Sequence, residues 1–313
     1  MDQALIVSFI LSVMTASTPL LLAATGELVA EKSGVLNLGV EGMMLVGAIV
    51  GFATTVHTGS ATLGVLCAVL AGMGMALIFG ILTLTFLANQ VATGLALTIF
   101  GTGLSALVGA GYVGTAVAPL PKLAIPGLSD LPYLGPILFG QDALVYLSLA
   151  AVAGVAWFLR RSHRGLVLRA VGDSHDAAHA IGYPVILIRY LATMFGGAMS
   201  GLAGAYMSLA YSTSWAENMT AGRGWIALAL VVFATWRAGW LLAGAYLFGG
   251  IMYLSLYVQG LGITVPSQLV SALPYLATIL VLVLISRDRA KYVSTRRPAW
   301  GGRSMRRGDG QAT

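Results

Sequence analysis

Residues 34–48 read GVLNLGVEGMMLVGA, and the run stays almost wholly apolar as far as His57. Two polar side chains, Asn37 and Glu41, interrupt it four residues apart. An apolar run of this length predicts a membrane-spanning helix, and on a helix residues four apart stack one above the other. An ionised carboxylate near mid-bilayer costs about 2.5–3.5 kcal/mol on insertion scales. Asn37 and Glu41 are therefore expected to share one face that meets protein and never lipid. Two roles fit that face. It lines or gates a pathway, or it clamps helices through internal hydrogen bonds, for instance to an adjacent broken helix.

The composition extends the same reading to the whole chain. Of 313 residues 58% are hydrophobic and 9% charged, with a mean hydropathy of +0.88. A soluble domain carries about 25% charged residues, so this chain uses lipid as its solvent. Its 40 glycines fit a membrane bundle, where small residues let helix backbones touch. Cys67 is the single cysteine, so no disulfide forms within the chain. The first residues, MDQALIVSFI, lack the positive start of a signal peptide and read as part of the first span.

Apolar runs long enough to cross a bilayer fall at 4–25, 35–56, 61–87, 91–113, 142–159, 187–211, 224–237, 240–258 and 268–285. The expectation is an all-α polytopic bundle of about nine transmembrane helices, with eight or ten as alternatives. The 224–237 run is short, and Gly239 beyond it suits a re-entrant pair. With nine crossings and a cytoplasmic C-terminus, fifteen of the seventeen Lys and Arg residues fall inside, leaving Lys122 and Arg223 outside. By the positive-inside rule this puts the N-terminus outside. The same rule accounts for the net charge of +6 without invoking nucleic acid. The transmembrane domain covers 1–286, and the basic, Gly-rich tail 287–313 reads as disordered and cytoplasmic. Residues 114–141 are proline-rich and form an irregular external loop. Trp215, Trp225, Trp236 and Trp240 fall near proposed span ends and read as interface anchors.

The one long cytoplasmic loop, 160–186, contains DSHDAAHA at 173–180, which reads as a short helix. Asp173 or Ser174 can cap it, Gly182 can end it and Pro184 forbids continuation. Its exposed face would be small, with Ala177, Ala178 and Ala180 on it. Such a helix between two spans suits a groove on another protein. His175 and His179 have the i, i+4 spacing of a metal face, but no Cys, third His or intervening Glu supports one. No GxxxxGK[ST] phosphate loop and no GxSxG elbow is present. Glu41 is the only acid read within a span, so the charge relays of a coupled carrier are missing. The energy for any transport is then expected from a partner.

Six stretches in order resemble the inner-membrane permease subunits of ATP-binding-cassette importers, in the branch serving simple sugars and nucleosides, which includes ribose and branched-chain amino-acid permeases. They are GVLNLGVEGMMLVGA at 34–48, ANQVATGLAL at 88–97, LRAVGDSHDAAHAIGYPV at 168–185, FGGAMSGLAGAY at 195–206, GRGWIALALVVFATWRAGW at 222–240 and PYLATILVLVLISR at 274–287. The chain looks most like the shorter permease of nucleoside-type importers. It departs from the branch at Thr98, Ala234, Ala238 and His175, where Asn, Gly or Pro, and Pro are frequent.

The resemblance implies a bacterial plasma-membrane subunit with no ATPase site and no cofactor of its own. It implies three partners: a second permease in a heterodimer, a cytoplasmic ATPase and an extracytoplasmic substrate-binding protein. It makes 160–186 the ATPase-coupling loop, with Gly172, Asp173, Ser174, Ala177, Ala178 and Gly182 at the contact. Asn37, Glu41, Asn89, Gln90, Thr93 and Thr98 are the candidate pathway or gate residues. Neutral amides and hydroxyls among them can bond a sugar hydroxyl and release it. Gly197, Gly201 and Gly204 recur so as to leave a helix face bare for close packing.

Overall fold

Short polar residues start several of the helices by accepting their free amide hydrogens. Ser60 accepts from Leu63 at 3.4 Å, Asn89 from Ala92 at 3.0 Å, Asp142 from Leu144 and Val145 at 2.9 and 3.1 Å, and Ser162 from Gly165 at 2.9 Å. The computed structural model describes residues 3–123 and 134–260, with scattered helical positions between 272 and 283. Among these residues the chain is helical, with only two isolated β-bridges, Ala116 to Ser214 and Lys122 to Asp142.

The helices are α1 (Gln3–Lys32), α2 (Val40–Thr58), α3 (Ala61–Gly80), α4 (Gln90–Gly109), α5 (Leu134–Phe139), α6 (Ala143–Arg161), α7 (His163–Asp173), α8 (His175–Ala180), α9 (Val185–Tyr206), α10 (Arg223–Phe233) and α11 (Ala238–Gly260). A π-helical turn extends α3 over Ile81–Thr85 and another extends α9 over Met207–Tyr211.

Six helices among the described residues are long and apolar enough to cross a membrane: Ile6–Lys32, Val40–Thr58, Ala61–Thr85, Gln90–Tyr112, Ala143–Arg161 and Val185–Tyr211. They correspond to the first six runs of the sequence. The seventh is corrected: α10 has 11 residues, about 16 Å at 1.5 Å per residue, against a hydrocarbon core of about 30 Å. Thr235 and Trp236, both at positive φ, turn the chain straight from α10 into α11. Of the expected span 268–285 only the scattered helical positions are described, and residues 124–133 and the tail 287–313 lie outside the described residues.

The core forms around α9, which packs on α1, α2 and α3. Gly197 and Gly201 face Gly72 and Ala68 of α3, while Gly204 faces Met44 and Ala48 of α2. A Cβ added at Gly47 would lie 2.6 Å from Gly201 Cα, and one at Gly26 would lie 2.9 Å from the Gly196 carbonyl oxygen. Backbones this close leave no room for a side chain, and the gain is dispersion between helices that lipid does not push together. The Ser208 hydroxyl adds a hydrogen bond to the Ala48 carbonyl at 2.9 Å.

Candidate functional site

The polar residues of the opening stretch do not share a helix face. Helix α2 starts at Val40, and residues 34–39 form an irregular joint between α1 and α2, with Gly34 at φ +85°. Gly34 turns the chain at positive φ, and Asn37 Oδ1, accepting from the Gly39 amide, holds a second turn just before α2. Asn37 therefore lies before the helix and Glu41 is its second residue.

The joint is tied to several other parts of the chain. The Ser33 carbonyl accepts from Arg189 Nε of α9 at 3.2 Å. Gly34 packs against Gly172 of α7, and a Cβ added at Gly34 would lie 3.4 Å from Gly172 Cα. The Leu36 amide donates to Gln90 Oε1 at 2.9 Å, and Thr98 Oγ1 donates to the Leu38 carbonyl at 3.0 Å. The Asn37 amide donates to Glu27 Oε1 at 3.0 Å, while Asn37 Oδ1 accepts from the Gly39 amide at 2.9 Å. Gly94 and Gly101 of α4 lie against Leu38 and Gly42. Gln90, Gly94, Thr98 and Gly101 thus form one stripe of α4 on which the joint rests.

Glu41 reaches the start of α10. Its Oε1 accepts from Thr220 Oγ1 at 2.5 Å and the Gly222 amide at 2.8 Å, and its Oε2 accepts from the Gly224 amide at 2.5 Å. Helix α10 has no cap from its own chain neighbours, since its N-cap is Gly222 at φ +83°. A carboxylate from a distant helix fills that role, where free amides and the helix dipole favour negative charge. A Cβ at Gly224 would lie 2.6 Å from Glu41 Cα, so glycine is required for this approach.

Arg223 belongs to a helix and not to a loop. It is buried as the first residue of α10, donates to the Met219 and Thr220 carbonyls at 3.3 Å, and lies 5.1 Å from the Tyr211 ring centroid.

Two acids that the sequence placed beyond the first span are also inside the bundle. Helix α1 continues to Lys32, and Glu27 and Glu31 are both 0% exposed. Glu31 Oε2 accepts from Trp236 Nε1, so this tryptophan is held within the bundle and does not serve as an interface anchor. Trp215 is likewise buried, against Gly109, whereas Trp240 is exposed. The signal for the two acids was present. Glu27 and Glu31 have i, i+4 spacing and no proline stands between Thr25 and Gly34, but the apolar window ended at Thr25.

The other two pathway candidates stand apart from the joint. Asn89 is exposed and caps α4, and Thr93 is half-buried one turn later. Thr98 commits its hydroxyl to the joint.

The loop 160–186 holds two helices, α7 and α8. Ser174, and not Asp173, caps α8, accepting from the Ala177 amide at 3.3 Å. Asp173 is the last residue of α7 and lies within electrostatic reach of Lys32. Gly182, at φ +89°, turns the chain after α8, and its amide donates to the His179 carbonyl at 2.9 Å. Ala177 and Ala180 are exposed, but Ala178 is corrected: it is 2% exposed and packs with Val171 and Val185. Ala178 therefore builds the two-helix unit and is not part of its outer face. His175 and His179 belong to α8, and among the described residues no group of three or more metal-binding side chains gathers there. Gly172 is buried against the Lys32 carbonyl and the Gly34 amide, so the α7–α8 unit and the joint touch backbone to backbone.

The chain matches the protein family described as branched-chain amino acid transport system / permease component over residues 9–284. It is 44% identical to a putative glucose ABC transporter permease protein of Haloferax volcanii, over 85% of this chain and 88% of that protein. It is 31% identical to a guanosine ABC transporter permease protein of Bacillus subtilis, over 90% and 93%. It is 30% identical to a nucleoside ABC transporter permease protein of Lactococcus lactis, over 86% and 89%. No solved structure matches the chain.

Proposed function

The chain belongs to the branched-chain amino acid transport permease family, and on that premise we propose that it forms half of the pathway through which an ATP-driven importer admits a nucleoside or simple sugar. It is a multi-pass membrane permease of the plasma membrane, a transport subunit and not an ATPase. The substrate class follows from the relatives, whose names specify glucose, guanosine and nucleosides. These solutes share a polyhydroxylated, uncharged surface that neutral polar groups recognise.

The partners in this reading are a second, longer permease, a cytoplasmic ATP-binding-cassette ATPase and an extracytoplasmic binding protein. The ATPase docks on α7 and α8, through Asp173, Ser174, Ala177 and the Gly182 turn. The C-terminus lies on that cytoplasmic side and the N-terminus on the other. Asn89 and Thr93 serve the pathway, whereas Asn37, Gln90, Thr98 and Glu41 hold the joint and α10 in place.

The observation that carries the reading is the contact of Gly172 with Lys32 and Gly34. Motion of the docked α7–α8 unit passes there into the joint, and from Glu41 into α10. The test is purification from membranes followed by reconstitution with the co-eluting subunits. ATP-dependent uptake of labelled guanosine or glucose, stimulated by the binding protein, is the expected result. Uptake by the chain alone, without ATPase or second permease, would make it a self-sufficient carrier.

A further inference from the structure

Helices α6 and α9 each pack on α1 and on α7, yet a cleft of about 770 Å³ separates them. Ligand pockets of about 300–1,000 Å³ hold a small organic molecule. The walls are aliphatic and aromatic: Leu147, Ala151 and Phe158 from α6, with Leu191 and Phe195 from α9, and Val29 of α1 as the floor. The rim residues Leu147 and Leu191 are exposed, so the cleft opens on the outer face of two membrane-crossing helices. A Cβ added at Gly154, in the α6 wall, meets nothing within 4 Å.

One end of this apolar space is different. There it is closed by α7, whose first two residues, His163 and Arg164, border it and are exposed, with Arg160 and Arg161 just before them at the end of α6. Among the described residues no Asp or Glu lines the cleft. The site is thus apolar along two crossing helices and cationic at a single end, where α6 leaves the span. A soluble sugar or nucleoside has no use for such walls, and an apolar helix has no use for such an end. Basic pockets between membrane helices hold anionic lipid head groups.

We propose that the α6–α9 cleft holds one anionic phospholipid, its acyl chain against Ala151, Gly154 and Phe195 and its phosphate on Arg164 and His163. Because α7 and the Tyr183–Pro184 turn roof the cleft, the lipid braces both flanks of α8. The inference goes beyond the transport reading and does not need it.

The test uses the assembled complex, purified in mild detergent, with lipid retention read by native mass spectrometry during titration with phosphatidylglycerol or phosphatidylcholine. The parent is expected to retain one phosphatidylglycerol per copy and to bind phosphatidylcholine at least about tenfold more weakly, because phosphatidylcholine carries the same phosphate but adds a choline cation that the basic end of the cleft repels. Arg164→Ala removes both the phosphate contact and the charge that repels choline, so it should weaken phosphatidylglycerol about tenfold and narrow its preference over phosphatidylcholine. Gly154→Phe should fill the cleft and remove the retained lipid while the complex stays monodisperse. Should that variant not assemble, the exposed Arg164 carries the test alone. Equal retention of the two lipids by the parent, or no effect of Arg164→Ala, would overturn the proposal. A photo-crosslinker at Leu191 identifies the occupant directly. Adducts with lipid support the assignment, and adducts with residues 268–285 or with the second permease refute it.

Discussion

Glu41 is where the structure makes the sharpest demand. All three groups that meet its carboxylate are donors: the Thr220 hydroxyl and the amides of Gly222 and Gly224. Glu41→Gln keeps the shape, but in either orientation its NH2 group meets a backbone amide donor, that of Gly224 or that of Gly222, and only in the second can the Thr220 hydroxyl turn to accept from it. At least one hydrogen bond to a charged group, about 1.5–3 kcal/mol, is lost, together with about 0.3–1 kcal/mol of helix-dipole stabilisation. The expected loss is therefore about 2–4 kcal/mol. Glu41→Leu strands all three buried donors at about 1–3 kcal/mol each, so it should be clearly worse. Glu41→Asp keeps the charge but, one methylene shorter, falls short of α10 and should lie with Gln. The assay is paired: thermal unfolding of the purified complex by fluorescence-detected size exclusion, and ATP-dependent uptake in vesicles. The expected order in both is parent, then Gln and Asp, then Leu. If Gln matches the parent in both, the carboxylate does not hold α10 and the cap assignment is wrong. If Gln unfolds like the parent but fails in uptake, the charge serves the pathway directly.

Further outcomes follow from the same geometry. Gly201→Leu places a side chain against Ala68 and Gly72, and the amount of assembled complex in membranes should fall severalfold on blue-native gels. Ala177→Trp enlarges the exposed face of α8 and should abolish binding-protein-stimulated ATP hydrolysis with normal expression. Ala178→Trp should instead lower the unfolding temperature, because Ala178 packs with Val171 and Val185. Equal behaviour of the two variants would remove the docking face. Trp236→Phe takes away the donor to Glu31 and should destabilise by about 1–3 kcal/mol, read as a lower unfolding temperature. A reporter fused after residue 289 should be cytoplasmic and one inserted at 120–123 external, and an external tail reporter would reverse the orientation.

The solvent of this protein and the positions of its first six spans were legible in the chain, because both depend on local runs of apolar residues. Lipid demands about 20 of them in a row, and a window along the sequence finds them. Ser174 and Gly182 were legible for the same reason, since a cap and a left-handed turn act within a few residues. The run 34–48 is the instructive failure. Its hydrophobicity is continuous, but its backbone breaks at the joint, and hydropathy does not register where a backbone bends. Glu27 and Glu31 escaped because their helix outlasts its apolar window. Ala178 was misplaced because its neighbours Val171 and Val185 come from the two flanking helices. Glu41 shows the reason most plainly. A carboxylate withdrawn from water is offset only by donors around it, and here those donors stand at Thr220, Gly222 and Gly224. They are about 180 residues away along the chain, so only the packing of α2 against α10 could bring them to it.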